Sequence, residues 1–544
     1  MIPNLHSLHL ILTMHKSIKG NALRQLRKAF HISLHAKRNR ISDASAFVEE
    51  GNYHAITRRK FISDVSKAAM VISVAGIYSA CNPTNKKTQP TIAIVGAGIA
   101  GLHAAYILKQ AGYNAQIYEG SPRTGGRIFS VDGMMGEGLW TEMGGEFIDT
   151  PHLDMLNLAK HFNLPLIDRS APGEKALKEF CYYFDGKHYE LRDLLEALHP
   201  YAEQIQKDID SLSDEISFEE HSPDDVQLDQ LSIMEYMDRL GIKGWFRNFI
   251  NSSYTAEYGA DISEQSAINF LSIFDPGDEH AYKVYGSSDE IYSIAGGNLK
   301  ICDALVNEVK ENIFTEHLLT SISQKSNNQY QLTFKVGGAG EIGAAADIVI
   351  LTLPFTTLRE VDIKVPLPDW KTNVIRNLSY GTSTKLFVGI NDRVWRRQGY
   401  TGYAFSDTLM INGYDHTQMQ NNNQGKGGYT IFLGGKQALD SGALDNGELQ
   451  KQYVPALDGV FPGVADSFNN NFQKWNWASY VFAKCSYLSY SPGQYTSMGG
   501  AQYKPVDNLY FAGEHCSYDF QGFMNGGAQT GREVAEKIIA KLKV

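Results

Sequence analysis

Only five of the 544 residues are cysteine, too few and too scattered for a disulfide framework in a chain this long. No His/Cys group has the close spacing of a metal site. The sequence also lacks a G-x-S-x-G nucleophile elbow and a G-x-x-x-x-G-K-S/T phosphate loop. No uncharged apolar run approaches the ~20 residues of a membrane-spanning helix, and no internal repeat is visible. Basic charge is scarce beyond the first 81 residues, which hold 12 Lys+Arg and 4 Asp+Glu against 38 and 56 in the rest. An acidic body argues against nucleic acid as a partner and favours cationic ligands weakly, if it is more than a soluble surface. With 43% hydrophobic and 20% charged residues, the composition is that of a globular protein, and the length suits two or more domains.

The basic start reads as an address. Thr57-Arg58-Arg59-Lys60-Phe61-Ile62-Ser63 resembles a bacterial twin-arginine export signal. An uncharged stretch runs from Ala68 to Ala80, short enough for a signal peptide's apolar region. It ends in Tyr78-Ser79-Ala80-Cys81, which resembles a lipoprotein processing site although Tyr78 stands where an aliphatic residue is usual. This order predicts an export signal over 1–81, a lipid anchor at Cys81, a polar tether over 82–90 and a place in the bacterial periplasm or cell envelope. The plain alternative is an unstructured N-terminus with a chance arginine pair. The stretch ahead of Arg58 is long for such a signal, and Met14 is an alternative start.

Thr91-Ile92-Ala93-Ile94-Val95 is a buried-strand candidate, followed at once by Gly96-Ala97-Gly98-Ile99-Ala100-Gly101. A helix-like segment runs from Leu102 to Gln110, and a second strand, Ala115 to Tyr118, ends at Glu119. This is the order of a dinucleotide-binding Rossmann unit. Gly96 allows the tight turn, Gly98 the approach of a pyrophosphate, and Gly101 close helix–strand packing. The helix N-terminus favours the phosphates and Glu119 a ribose. Gly125-Gly126-Arg127 then offers a second close backbone approach with an arginine for phosphate oxygens, and Thr141-Glu142-Met143-Gly144-Gly145 gives a second glycine pair beyond it.

These stretches resemble the flavin-containing amine oxidase family (monoamine, polyamine and L-amino-acid oxidases). The far end carries the same resemblance in Phe511-Ala512-Gly513-Glu514-His515 and Gln521-Gly522-Phe523-Met524-Asn525-Gly526-Gly527. It implies an α/β fold in which a Rossmann-like FAD-binding domain of the GR2 type (91–155, 290–365 and 478–544) is interleaved with a mixed α+β substrate domain (156–289 and 366–477). It implies FAD contacts from Gly96, Gly98, Gly101, Glu119, Gly126, Arg127, Gly144, Gly145, Leu319, Trp477, Gly513, Glu514 and Met524, with Leu319 on the adenine side.

Between the ends, residues 190–230 hold 13 acidic and 2 basic residues, with leucines and isoleucines at helical spacing from 191 to 216. They read as amphipathic helices with a solvated acidic face, broken at Pro223. Leu299 to Val309 reads as a helix. Strands are predicted over Ile313 to Ile322, Tyr330 to Val336 and Asp347 to Leu353, and a surface loop over Gln418 to Gly428.

Taken alone, Lys385 in Thr384-Lys385-Leu386-Phe387-Val388 is an exposed strand lysine. The resemblance instead makes it the catalytic lysine that holds a water at flavin N5. It likewise makes Tyr487 and Phe523 the two aromatic walls that channel the amine. Ser486 then stands where animal monoamine oxidases carry the flavin-linked cysteine, which predicts non-covalent FAD, with Cys485 adjacent. Asp149 matches an acid of plant polyamine oxidases that holds a distant ammonium; the other reading is a helix N-cap. No arginine occurs between Ile128 and Asp168 to clamp a substrate carboxylate, though Arg169 and Arg239 lie beyond.

The resulting expectation is an FAD-dependent amine oxidase. Hydride passes from the amine α-carbon to flavin N5, the imine hydrolyses to an aldehyde or keto acid, and dioxygen is reduced to hydrogen peroxide. The alternatives are an L-amino-acid oxidase, a carbon–carbon oxidoreductase of the same fold and a non-catalytic flavoprotein. The amine itself and the oligomeric state stay open.

Overall fold

Ile92–Val95 is buried at every position and forms the middle strand of a five-stranded parallel sheet. It pairs with Ala115–Tyr118 on one side and Ile348–Leu351 on the other, and Ile313–Phe314 and Leu509–Phe511 form the edges. A parallel sheet is covered on both faces, so its strands are apolar throughout rather than alternating. Helix Ile99–Gln110 shares a core with helices Leu299–Val309 and Met524–Leu542. Gly101 makes the close packing possible: a Cβ there would sit 2.1 Å from the Gly96 carbonyl oxygen. In this computed structural model the described residues are 89–274, 288–338 and 340–543. The arginine pair, the 68–80 stretch, Cys81 and the tether up to residue 88 fall outside them.

A four-stranded sheet of Gly340–Ala346, Tyr330–Val336, His317–Gln324 and Asp362–Lys364 packs its apolar face with the other side of the parallel sheet. The third sheet has seven strands in the order 468–476, 383–390, 427–434, 412–415, 400–406, 178–184 and 187–189. Helices Leu191–Ser211, Ile233–Leu240, Gly244–Tyr258 and Ala267–Ile273 share one aromatic-rich core beside it. Strands from distant parts of the chain thus meet in the five-stranded and seven-stranded sheets. Among the described residues no helix is long and apolar enough to cross a membrane.

Several sequence expectations need adjustment. Helical spacing holds from Leu191 to Ser211 as one helix that accommodates Pro200, but Ile216 lies beyond its end. Pro223 starts a helix, with Ser222 capping it through the Asp225 amide, because proline lacks only an N–H that the first turn does not use. The single strand expected over 313–322 is two, Ile313–Phe314 and His317–Gln324, in different sheets. The 418–428 stretch is not merely a surface loop: Gln420 is buried and its amide both accepts from and donates to the Trp140 backbone.

Candidate active site

The turn after the first strand has the shape of a phosphate cradle. Gly96 takes φ +109°, and a Cβ on Gly98 would meet only Gly126 Cα, at 3.8 Å. The helix starting at Ile99 has no side-chain cap, so its first amides and positive end remain available to an anion. Glu119 accepts from the Ala97 amide at 2.7 Å and the Ser121 amide at 2.8 Å, one per oxygen, which leaves lone pairs for ribose hydroxyls. Leu319 turns its side chain into the core with Val95 and Tyr118. His317 N in the same strand donates to Glu119 O at 2.8 Å, bringing this strand's backbone to Glu119.

Arg127 is tied into the protein through one of its nitrogens. Its Nη1 donates to Glu514 Oε1 at 2.8 Å and to Ser486 O at 2.7 Å. Burial opposes its charge, but Glu514 outweighs it and holds the guanidinium above its usual range. Glu514 Oε2 accepts from the Gly522 amide at 2.9 Å, so this carboxylate joins Arg127 to the turn before the last helix. Gly513 takes φ +141° and donates its amide to Thr530 Oγ1. Helix Met524–Leu542 begins at Met524 without a side-chain cap, offering another positive end. Gly144 and Gly145 are forced by packing: a Cβ on Gly144 would lie 1.7 Å from Arg127 O, and one on Gly145 2.6 Å from Met524 Cγ. Trp477 lies over Gly144 and donates its indole N–H to Met143 O at 2.9 Å. Among the described residues, buried polar atoms without a protein partner lie around these loops, Ser486 Oγ and Asn525 Nδ2. Uncapped helix ends, bare buried polar atoms and glycine-lined loops fit an extended dinucleotide.

Lys385 is not an exposed strand lysine. Its strand, Ser383–Ile390, is buried at all eight positions, and Lys385 itself is 4% exposed. Nζ donates to Gly144 O at 2.8 Å, Glu142 O at 3.1 Å and Glu146 Oε2 at 3.1 Å. An ammonium has three donors, and these partners occupy all three. Tyr414 Oη donates to the same Glu146 oxygen at 2.7 Å; burial, with Glu146 beside it, holds this phenol well above its usual range and so protonated. Tyr487 donates from Oη to Ala256 O at 3.1 Å and lies against Gly522. Phe523 packs its ring on His152, 4.9 Å between centroids.

Asp149 is not the helix N-cap; the next helix starts at Leu153 behind His152. Its carboxylate accepts from Ser288 Oγ at 2.7 Å and from the Glu290 amide at 2.9 Å. Burial raises its pKa, and Asp289 adds to the effect. Glu257 is pushed up to about 7 by burial and by Asp149. Glu290 rises well above its usual range through burial and the charges of Glu257 and Asp149, with Arg169 opposing. Arg169 stacks over Phe147 at 4.6 Å, with Nε and Nη1 buried and unpartnered. Sequence reasoning passed over Glu142, Glu146, Glu257, Glu290 and Tyr414. Glu142 and Glu146 flank the quoted Gly144-Gly145 pair, but their partner Lys385 is about 240 residues away. Among the described residues no group of three metal-ligating side chains is assembled.

A family model described as flavin containing amine oxidoreductase matches residues 99–539. Amine oxidase [flavin-containing] B of Homo sapiens is 23% identical over 483 residues, 82% of this chain and 86% of that protein. An L-amino acid oxidase of Cerastes cerastes is 22% identical over 493 residues, 86% of this chain and 89% of that protein. Among solved structures, putrescine oxidase bound to putrescine aligns with a TM-score of 0.70 at 19% identity, covering 83% of this chain and 99% of that one. Cyclohexylamine oxidase from Brevibacterium oxydans aligns with a TM-score of 0.71 at 19% identity, covering 84% and 100%.

The acid beneath Lys385 gives a pH test. Burial pushes the Glu142 carboxyl up to about 8, against hydrogen bonds from Ser130 and Asn298 that favour its charged form. Between its unfolded pKa and 8 the folded chain therefore binds a proton that the unfolded chain has released. Stability from this group is full at low pH and is lost as pH rises, by at most about 1.4 kcal/mol per pH unit. Urea midpoints from pH 5 to 8 should fall less steeply in Glu142→Gln than in the natural chain; parallel curves would refute the assignment.

Proposed function

The chain belongs to the flavin-containing amine oxidoreductase family, and from that premise we propose that it oxidises amines with dioxygen, Lys385, Tyr487 and Phe523 forming the reaction site. FAD, the expected cofactor, supplies the hydride-accepting and dioxygen-reducing chemistry. The residues noted above around the glycine turns would hold it: Gly98, Gly126, Glu119, Gly144 and the start of the last helix. Tyr487 and Phe523 orient the amine between apolar walls, where an unpaired ammonium is costly and the neutral amine is favoured. Lys385 fixes a positive charge against the 142–146 turn and supports the reduction of dioxygen. The observation that carries this reading is the buried Lys385 ammonium on the Gly144 carbonyl and the Glu146 carboxylate.

We favour amines over L-amino acids because no arginine lies between Ile128 and Asp168 to clamp a substrate carboxylate, and Arg169 is stacked on Phe147. The same lysine and aromatics weigh against a carbon–carbon oxidoreductase and a non-catalytic flavoprotein. We also propose that FAD is held non-covalently. Cys485 is raised by burial, although Arg127 opposes this, and its Sγ accepts from Thr356 Oγ1 at 3.4 Å; a buried protonated thiol is a poor nucleophile. Finally, the arginine pair, apolar stretch and Ala80-Cys81 support export and a lipid anchor at Cys81, placing the enzyme in the cell envelope.

Anaerobic mixing with monoamines and diamines should bleach the flavin, with peroxide appearing on adding air, while L-amino acids reduce it at least about tenfold more slowly. Faster bleaching by L-amino acids would overturn the substrate reading, and a flavin that none of them reduces would favour the rival reactions. Acid precipitation should leave the yellow colour in the supernatant; a yellow pellet contradicts non-covalent binding. Intact mass of membrane-extracted protein should begin at a lipidated Cys81, and a native chain retaining residues 1–80 would rule the anchor out.

A further inference from the structure

We infer that Glu146 is a catalytic group of this reaction: its Oε1 accepts the proton that a substrate ammonium must lose before its α-carbon can be oxidised. The inference rests on the amine-oxidising reading above and goes beyond it. Its starting point is the unequal use of one carboxylate. Oε2 receives both the Lys385 ammonium at 3.1 Å and the Tyr414 hydroxyl at 2.7 Å. Oε1 is buried and has no partner among the described residues. Leaving a carboxylate oxygen bare in a buried place is costly, so the position calls for an N–H or O–H that arrives with a ligand.

Several other groups nearby already use their polar atoms within the protein. Lys385 has spent its three donors. Both oxygens of Glu142 are engaged, by Ser130 Oγ and the Asn298 amide, each at 2.7 Å. Both oxygens of Asp149 are engaged by Ser288 and Glu290. His416 lies near Lys385 and Arg169, and burial, then Lys385, lowers its pKa well below the usual range; its Nδ1 and Nε2 pair with Thr430 and Thr141. Glu257, pushed up to about 7 by burial and Asp149, Glu290, raised by burial and by Glu257 and Asp149, and Arg169, stacked on Phe147, are the remaining ionisable neighbours; it is Glu146 that carries the Lys385 and Tyr414 contacts. Lys385 and Tyr414 are positioning residues here: two donors on Oε2 fix the carboxylate so that Oε1 points at one place.

The step balances within itself. One N–H bond of the ammonium breaks, its electron pair stays on nitrogen, and the proton bonds to Oε1. The ammonium becomes a neutral amine and the carboxylate a carboxylic acid; nothing is oxidised or reduced. The neutral amine is the form that can give up hydride from its α-carbon.

Glu146→Gln keeps the shape and an acceptor for Lys385 but removes the base. Anaerobic flavin reduction by benzylamine and by putrescine should be nearly level from pH 7 to 9 in the natural enzyme. In Glu146→Gln it should be about 100-fold slower at pH 7.5 and recover about tenfold per pH unit as the amine itself deprotonates near pH 9–10. Calorimetric binding of tert-butylammonium, which has no α C–H to oxidise, should weaken at least tenfold at pH 7.5, because a charge-assisted hydrogen bond is lost. Glu146→Asp, which keeps a base, should keep the natural pH profile at a lower rate, and it serves if the glutamine variant loses FAD. An unchanged pH profile, or an equal loss at every pH with unchanged tert-butylammonium affinity, would overturn the role. A natural enzyme reduced by no amine would overturn the parent reading as well, which tells the two failures apart.

Discussion

The site depends on one ammonium held by backbone. Lys385 rises from the second strand of the seven-stranded sheet and grips the carbonyls of Glu142 and Gly144, which belong to the loop next to the nucleotide-binding glycines. That grip ties the seven-stranded sheet to the loops suited to FAD. It is available only because residue 144 has no side chain, since a Cβ would fall 1.7 Å from the Arg127 carbonyl oxygen. A charge placed so deeply must be matched, and Glu146 matches it. One packing constraint at Gly144 thus fixes the lysine, its carboxylate partner and the Arg127–Glu514 pair together.

Around this centre the acids are arranged in two groups with different consequences. Glu142 accepts one hydrogen bond on each oxygen and serves the local structure. Asp149 does likewise and pins the 288–290 stretch, and its charge raises Glu257 and Glu290. Glu146 alone of these three keeps an open oxygen. The distinction lies in hydrogen-bond satisfaction rather than in residue type.

Much of the fold was legible in the chain. The strand, glycine turn, helix, strand and acid from Ile92 to Glu119 follow local rules that tertiary context does not alter, and the predicted Tyr330–Val336 strand and Leu299–Val309 helix match their observed ends. The failures came where local signals compete: Pro223 as breaker or helix start, and 313–322 as one strand or two. The site was half legible. Glycine motifs announce themselves by spacing, whereas Glu146 lies more than 200 residues from Lys385 and Tyr414 and meets them only in the fold. For the same reason the pairing of Arg127 with Glu514 was not legible in the chain.

The most direct test is a crystal structure of the FAD-loaded protein with tert-butylammonium bound. The account predicts the amine nitrogen within about 3.2 Å of Glu146 Oε1, between Tyr487 and Phe523, with Lys385 still on the Gly144 carbonyl. An amine lodged elsewhere, or a Lys385 swung away from Gly144, would contradict it.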